Sequence, residues 1–194
     1  MWAALLDTCS VTRSFATGNA SAGERAGGLV GRMQGTSILE DTYAWGDVSG
    51  DELLGGLVGR ADNSSSITTS YSAGAVDDGT DVGGLVGYAN IDATISDSDW
   101  DRESTGQESS AGQTDDFGLT TEQMQGGNAS DNMTGFNFGD VWVQLAGYPI
   151  LSWQPHQQEP GETFPVPVNS TWALVLMVLA LLLMAAVSRQ RMRS

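Results

Sequence analysis

The chain has no lysine, one cysteine and one histidine in 194 residues, and each shortage removes a class of chemistry. All eight basic residues are arginine, set against 24 acidic ones for a formal charge of −16. Nucleic acid binding needs clustered cations to release counterions, so no nucleic acid partner is expected. A surface this acidic is first of all a solvated one; it also resists salting out, which fits a marine or halophilic source. With Cys9 alone no intrachain disulfide can form. Cys9 stands beside an apolar column and is expected to be packed. The single histidine, His156, falls in a Pro/Gln-rich stretch, so no catalytic triad, histidine zinc site or Cys–His dyad can be assembled within this chain. Carboxylates are numerous enough for a glycosidase-like pair, yet none stands at a repeated or pocket-forming position. Neither enzyme activity nor a cofactor is expected.

What the chain does have is a repeat. Gly27-Gly28-Leu29-Val30-Gly31 returns as Gly55-Gly56-Leu57-Val58-Gly59 and as Gly83-Gly84-Leu85-Val86-Gly87, 28 residues apart each time. Other columns keep the same period. Val11, Leu39, Ile67 and Ile95 are apolar; Phe15, Tyr43 and Tyr71 are aromatic. Gly18, Gly46 and Gly74 form a third column, and Ala20, Val48 and Val76 a fourth. Ser14, Thr42, Ser70 and Ser98 place a hydroxyl just before the aromatic column. A fixed period of 20 to 50 residues marks a solenoid or array.

Within one unit, Ile67, Thr69 and Tyr71 alternate on one face of a β-branched and aromatic run, which reads as a strand. Gly74 breaks it, and Asp77-Asp78-Gly79-Thr80 is turn chemistry. The run Val82 to Tyr88 carries too many glycines for a helix; its glycines imply tight corners or close backbone approach. One unit cannot bury a core alone, but stacked units can, with like columns forming ladders about 4.8 Å apart. The expected fold is all-β, a repeat β-solenoid of parallel β-helix type with a 28-residue period and Val/Leu/Ile and Phe/Tyr ladders inside. A meandering antiparallel repeat satisfies the same periodicity.

These residues resemble the GLUG-motif repeat of bacterial surface proteins, whose units read I-S-N-S-Y-A-T-G, a short loop, then V-G-G-L-V-G. Val11 to Gly18 and Ile67 to Gly74 carry the first half. Ile95-Ser-Asp-Ser-Asp-Trp-Asp101, Ser104-Thr-Gly-Gln107, Gly118 to Met124, Asp140-Val-Trp142 and Tyr148 to Trp153 resemble the family's terminal segment, with Asp99 where an aromatic residue is usual. The resemblance implies extracellular or cell-surface repeats in adhesin-like proteins and no chemistry of its own. The weak metal candidate is Asp97-Ser-Asp99-Trp-Asp101, which resembles the start of a calcium loop; Arg102 and Glu108 stand where such a loop has its glycine and its last glutamate. The alternative reading is a polar turn at the end of the repeats. Asn-x-Ser/Thr sequons at Asn19, Asn63, Asn128, Asn132 and Asn169 read as by-products of Ser/Asn-rich turns.

The chain then divides as follows. Residues 1–7 are an atypical start with no basic n-region, and their apolar run is too short for a secretory signal. Thr8 onward is already the first half of a repeat, so the chain reads as an N-terminally shortened form of a longer repeat protein. Repeats fill 8–100 (8–35, 36–63, 64–91 and a partial 92–100). A closing segment covers 101–153: an irregular loop at 101–116, a helical turn near Thr120 to Gln125 with Thr120 and Gln123 spaced as a capping box, and Val141 to Trp153 closing the solenoid's C-terminal end. A linker and sorting motif occupy 154–171.

Trp172 to Val187 is sixteen residues without a polar side chain, followed by Arg189, Arg191 and Arg193. A helix over 172–188, with snorkelling arginines, is expected to cross a membrane, leaving 189–194 in the cytoplasm and the acidic repeats outside. The order of motif, helix and arginines resembles an IPTL-CTERM sorting signal. Val166, Pro167, Ser170 and Trp172 fall on that pattern, while Val168, Asn169 and Ala173 depart from it. The resemblance implies an exosortase-type membrane protease as partner and a surface or released product. The function expected is a non-enzymatic, adhesin-like or stalk module of the cell envelope, anchored or sorted by its tail, with a protein or glycan ligand. Two alternatives stand beside it: the C-terminal remnant of a larger secreted protease or glycosidase, and an unexported tail-anchored protein.

Overall fold

The computed structural model describes residues 4–5, 7–77 and 79–155. His156, the sorting motif, the helix expected over 172–188 and the arginine tail lie outside the described residues. Among the described residues no helix is long and apolar enough to cross a membrane.

The repeats wind into a parallel β-solenoid. A first short strand, β1 (Ala4–Leu5), precedes a coil of β2 (Ser10–Ala16), β3 (Ala20–Gly27) and β4 (Val30–Met33). The second coil is β5 (Ile38–Ala44), β6 (Val48–Gly55) and β7 (Val58–Ala61). The third is β8 (Ser66–Thr68), β9 (Tyr71–Ser72), β10 (Thr80–Gly83) and β11 (Val86–Ala89), and β12 (Thr94–Ser96) and β13 (Asp99–Asp101) begin a fourth. Three sheets result, one per side: β1-β4-β7-β11, β3-β6-β10, and a third built on β2, β5, β8 with β9, β12 and β13. Every pairing between coils is parallel and offset by 28 residues, as in Leu39↔Ile67, Val30↔Val58 and Ala26↔Leu54. The antiparallel meander is thereby set aside.

The coil corners recur with the same period. Arg13, Asp41, Thr69 and Asp97 all have φ between 44° and 51°. Arg25, Leu53 and Asp81 form a second left-handed column, and Asp7, Gly35 and Asn63 a third. Left-handed backbone costs an L-residue about 1–2 kcal/mol, so each of these positions is held by the stack around it. The first column corrects the alternation expected along each strand. The ladder skips Arg13 and Asp41, running Thr12↔Glu40 and then Ser14↔Thr42, and the bend inverts the parity of everything after it. Leu39 and Ile67 therefore face the solenoid interior with Val30, Leu57, Val58 and Leu85, whereas Tyr43 and Tyr71 face out of it into a second core. The expected Phe/Tyr ladder exists, but on the flank and not inside.

The hydroxyl column explains how the bend is tolerated. Oγ of Ser14, Ser70 and Ser98 donates to the carbonyl two residues earlier, bridging the left-handed residue. The same oxygens of Ser70 and Ser98 accept the amides of Thr42 and Ser70 one coil before, at 3.1 and 3.2 Å. A buried amide displaced from the ladder thus keeps a partner.

The C-terminal end is closed by a different segment from the one expected. Trp100 is fully buried in the inner core. A Cβ on Gly84 would fall inside its indole, and one on Gly118 would come within 2.7 Å of it, so the ring is held between two glycines. Residues 105–111 then cover the last coil's edge: Val76 N–H donates to Thr105 O, Gly84 N–H to Ser109 O and Val86 N–H to Ser110 Oγ, at 2.9–3.1 Å. An exposed parallel edge is an invitation to aggregate, and here it is covered. The stretch expected to be an irregular loop contains α1 (Arg102–Thr105), capped by Asp101. After it, β14 (Gly118–Leu119) adds another rung beside β13. α2 (Thr121–Met124) has the expected Thr120/Gln123 capping box, and α3 (Ala129–Asn132) follows. Val141 to Trp153 runs along the flank, with β15 (Trp142–Val143) and β16 (Ile150–Leu151) as an antiparallel pair.

Candidate functional site

The solenoid presents outward rows, each of which repeats one coil position. The glycine motif stands behind these rows. Both readings hold: Gly28-Leu29, Gly56-Leu57 and Gly84-Leu85 are the bends between successive strands, and since none of Gly27, Gly28, Gly55, Gly56, Gly83 or Gly84 has positive φ, close approach is what demands glycine there. A Cβ on Gly55 would lie 2.6 Å from Gly87 N, and one on Gly56 2.8 Å from Ser72 Cβ as well as against the Gly84 carbonyl. Gly59 and Gly87 pass equally close to Leu53 and Leu54 backbone. Leu29 is partly buried against the inner core that holds Leu57 and Leu85, and Val30, Val58 and Val86 stack within it. For the motif this is a structural role, bringing two walls of the coil into contact.

The flank is the most aromatic part of the molecule. Phe15, Tyr43 and Tyr71 stack with centroids 5.2 Å apart at each step and planes within 14°. Trp142 leans on Tyr43 and Tyr71, and Trp153 on Phe15. The Tyr71 hydroxyl accepts from Trp45 Nε1 at 2.9 Å and donates to Pro149 O at 2.6 Å. Burial pushes its ionisation well above the ordinary tyrosine value, with Tyr43 adding to the shift. Tyr43 donates to Gln154 Oε1, and Trp153 Nε1 to Arg13 O. The closing segment is therefore pinned along the ladder from the last coil back to the first.

The three carboxylates of the metal candidate are given separate tasks. Asp97 is an exposed corner residue with φ 47°. Asp101 is buried; it caps α1 through the amides of Glu103 and Ser104 and accepts from the Thr121 and Tyr148 hydroxyls. Asp99 ends the aromatic column, in register with Tyr71. It is 2% exposed and its Oδ2 has no hydrogen-bond partner. Burial, and then the neighbouring Asp97, holds its carboxyl well above the usual carboxylate range. Among the described residues no three His, Cys, Asp or Glu side chains are grouped to hold a metal ion. Cys9, expected to be packed, is exposed.

A basic row missed in the sequence crosses one side. Arg32 and Arg60 are in register, with Tyr88 next in the column. Both guanidinium groups meet the buried Asp62 at 2.8–3.0 Å, and Arg60 lies 4.8 Å over the Tyr88 ring. The 28-residue spacing of Arg32 and Arg60 was the available signal. On β3 and β6 one row is acidic, Glu24↔Glu52.

Residues 50–77 match the family model described as the GLUG motif. The chain carries a GLUG repeat. The matched stretch is one period long and begins within β6, so it straddles the boundary between the units drawn at 36–63 and 64–91. The chain is also 44% identical over 61 residues to Halomucin of Haloquadratum walsbyi (strain DSM 16790 / HBSQ001). That alignment covers 31% of this chain and 1% of Halomucin. No solved structure matches.

Proposed function

We propose that this chain is a non-enzymatic cell-surface module whose GLUG solenoid is held at the envelope by its C-terminal tail. The observation that carries the reading is the division of labour among side chains. Glycines, hydroxyls and aromatics are spent on holding coils together, and the described carboxylates, apart from the buried Asp99, cap, bridge or face solvent. A stack of this kind is a rigid spacer with repeated outer rows, suited to a stalk or an adhesin-like surface. The GLUG match and the local identity with Halomucin support a surface role. The apolar run Trp172 to Val187 with Arg189, Arg191 and Arg193 supports membrane anchoring. Val166, Pro167, Ser170 and Trp172 support recognition by an exosortase-type protease. The ligand of the outer rows is a protein or glycan.

The experiment is an intact mass of the native protein, fractionated from cells that carry a tag after Ser194. A full-length, tagged protein in the membrane fraction supports a permanent anchor. Loss of the tag with repeats at the surface supports a processed sorting signal. Recovery of the full-length chain from the soluble cytoplasm contradicts both.

A further inference from the structure

Of the Asn-x-Ser/Thr sequons, those at Asn19, Asn63, Asn128 and Asn132 fall on described residues, and the fold accounts for all of these asparagines but one. Asn19 accepts the Asp47 amide through Oδ1 at 3.0 Å. Asn128 and Asn132 donate Nδ2 to the carbonyls of Glu122 and Asn128 at 3.1 and 2.9 Å, tying down the short helical turns around them. Asn63 differs. It is exposed at the corner between β7 and β8 with φ 56°, and among the described residues its side chain has no hydrogen-bond partner. The corner asks for a residue that tolerates left-handed backbone, and Asp7 and Gly35 meet that demand in the coils before it. It does not ask for an amide.

The hydroxyl of the same sequon is equally unexplained by the fold. Ser37, one coil earlier, donates its Oγ to the carbonyls of Gln34 and Leu5. Ala93, one coil later, fills the place without a hydroxyl. Ser65 lies between them, 1% exposed, and its Oγ has no partner. A buried hydroxyl without a partner weakens a fold, so packing alone favours alanine at 65 as at 93.

We infer that Asn63 is a glycosylation acceptor, with Ser65 supplying the hydroxyl by which a transferase recognises it. The inference rests on the surface reading, since the chain must leave the cytoplasm to meet such an enzyme. The donor is a sugar chain joined through phosphate to a membrane lipid. The bond between the anomeric carbon and the phosphate oxygen breaks, and its electron pair leaves with the lipid phosphate. The anomeric carbon bonds to Asn63 Nδ2, and the proton displaced from that nitrogen passes to a base of the transferase. Ser65 is read while the segment is still extended, because its hydroxyl is buried once β8 pairs with β5. Asn63 stays outside after folding, so the corner carries a glycan without unpacking any coil. At the same corner one coil on, Ile91 is 98% exposed. The 28-residue register sets it beside Asn63, where the apolar face of the first sugar covers it.

The test uses the native protein purified from its own cells. Trypsin cuts after Arg60 and Arg102, and Asn63 is the only sequon in the peptide 61–102. Mass spectrometry with electron-transfer fragmentation is expected to find a sugar on Asn63. Ser65→Ala and Asn63→Gly are expected to lose it, and Ser65→Thr to keep it. In a host without N-glycosylation, Ser65→Ala is expected to unfold at or above the wild-type urea midpoint; a lower midpoint would assign the hydroxyl to the fold and overturn the inference. It is also overturned if the peptide is recovered only at its unmodified mass, if the sugar sits on Ser or Thr, or if Ser65→Ala keeps it. Protease treatment of intact cells separates this from the surface reading. An unmodified peptide from a chain whose repeats are digested from outside overturns the glycosylation alone, and one from a chain protected until lysis overturns both.

Discussion

Replacing Gly56 by alanine tests why the repeat is written in glycine. The new Cβ would be driven against the Gly84 carbonyl oxygen and lie 2.8 Å from both Cβ and Oγ of Ser72. The carbonyl is backbone, so relief requires the second and third coils to part locally by about 1 Å in a close-packed interior. The hydrogen bonds that cross this gap are Gly56 N–H to Gly84 O at 3.1 Å, Leu57 N–H to Leu85 O at 2.9 Å and Val58 N–H to Leu85 O at 3.0 Å. Stretched by that amount, all three leave hydrogen-bonding range. At about 1 kcal/mol net per bond, and more where a buried group is orphaned, the loss is roughly 3–5 kcal/mol. Gly18→Ala is the control, since it adds the same methyl into open space; its effect should stay within about 0.5 kcal/mol. Urea unfolding followed by tryptophan fluorescence reads both. A Gly56→Ala variant within about 1 kcal/mol of Gly18→Ala would refute the close-approach argument.

Three further outcomes follow from the flank and the register. The folded-state value of Asp99 is raised, so folding favours its protonated form; that contribution is complete below the unfolded value and is lost as pH rises through the folded one. Asp99→Asn should therefore gain stability over wild type as pH rises above the ordinary carboxylate range toward the raised folded value, and parallel pH profiles of the two proteins would rule this out. Tyr71→Phe leaves Trp45 Nε1 without its acceptor and Pro149 O without its donor, and should cost about 1–3 kcal/mol; hydrogen exchange across Trp142–Leu151 should quicken, and unchanged exchange there would contradict the pinning of the closing segment. In a Cys9→Ser background, cysteines at Ser21 and Ser49, which are register partners, should form an intrachain disulfide on mild oxidation. A pair at Ser21 and Val48 should not, and equal cross-linking of both pairs would break the register.

The solenoid was legible because a parallel stack makes each column its own neighbour, so the constraint that holds Leu39 beside Ile67 also writes both at the same interval. The glycine motif and the Thr120/Gln123 capping box were legible for similar local reasons. The side to which the aromatics point was not. That depends on left-handed residues at 13, 41, 69 and 97, occupied by Arg, Asp, Thr and Asp, none of which announces positive φ as glycine would. The hydroxyl column before the aromatics was the visible trace of that bend. The end cap was missed because Trp100 belongs by sequence to the terminal motif, and only its place between Gly84 and Gly118 shows what it covers. Val141 to Trp153 carries aromatics suited to closing an end or a flank, and composition does not choose between them.

The most direct test of the surface reading is labelling on intact cells. Ser21, exposed on β3, is replaced by cysteine in a Cys9→Ser background, and cells are treated with a membrane-impermeant maleimide. The repeats are expected to be labelled before lysis, to the same extent as after it. Labelling that appears only once the cells are broken would place the solenoid inside and contradict it.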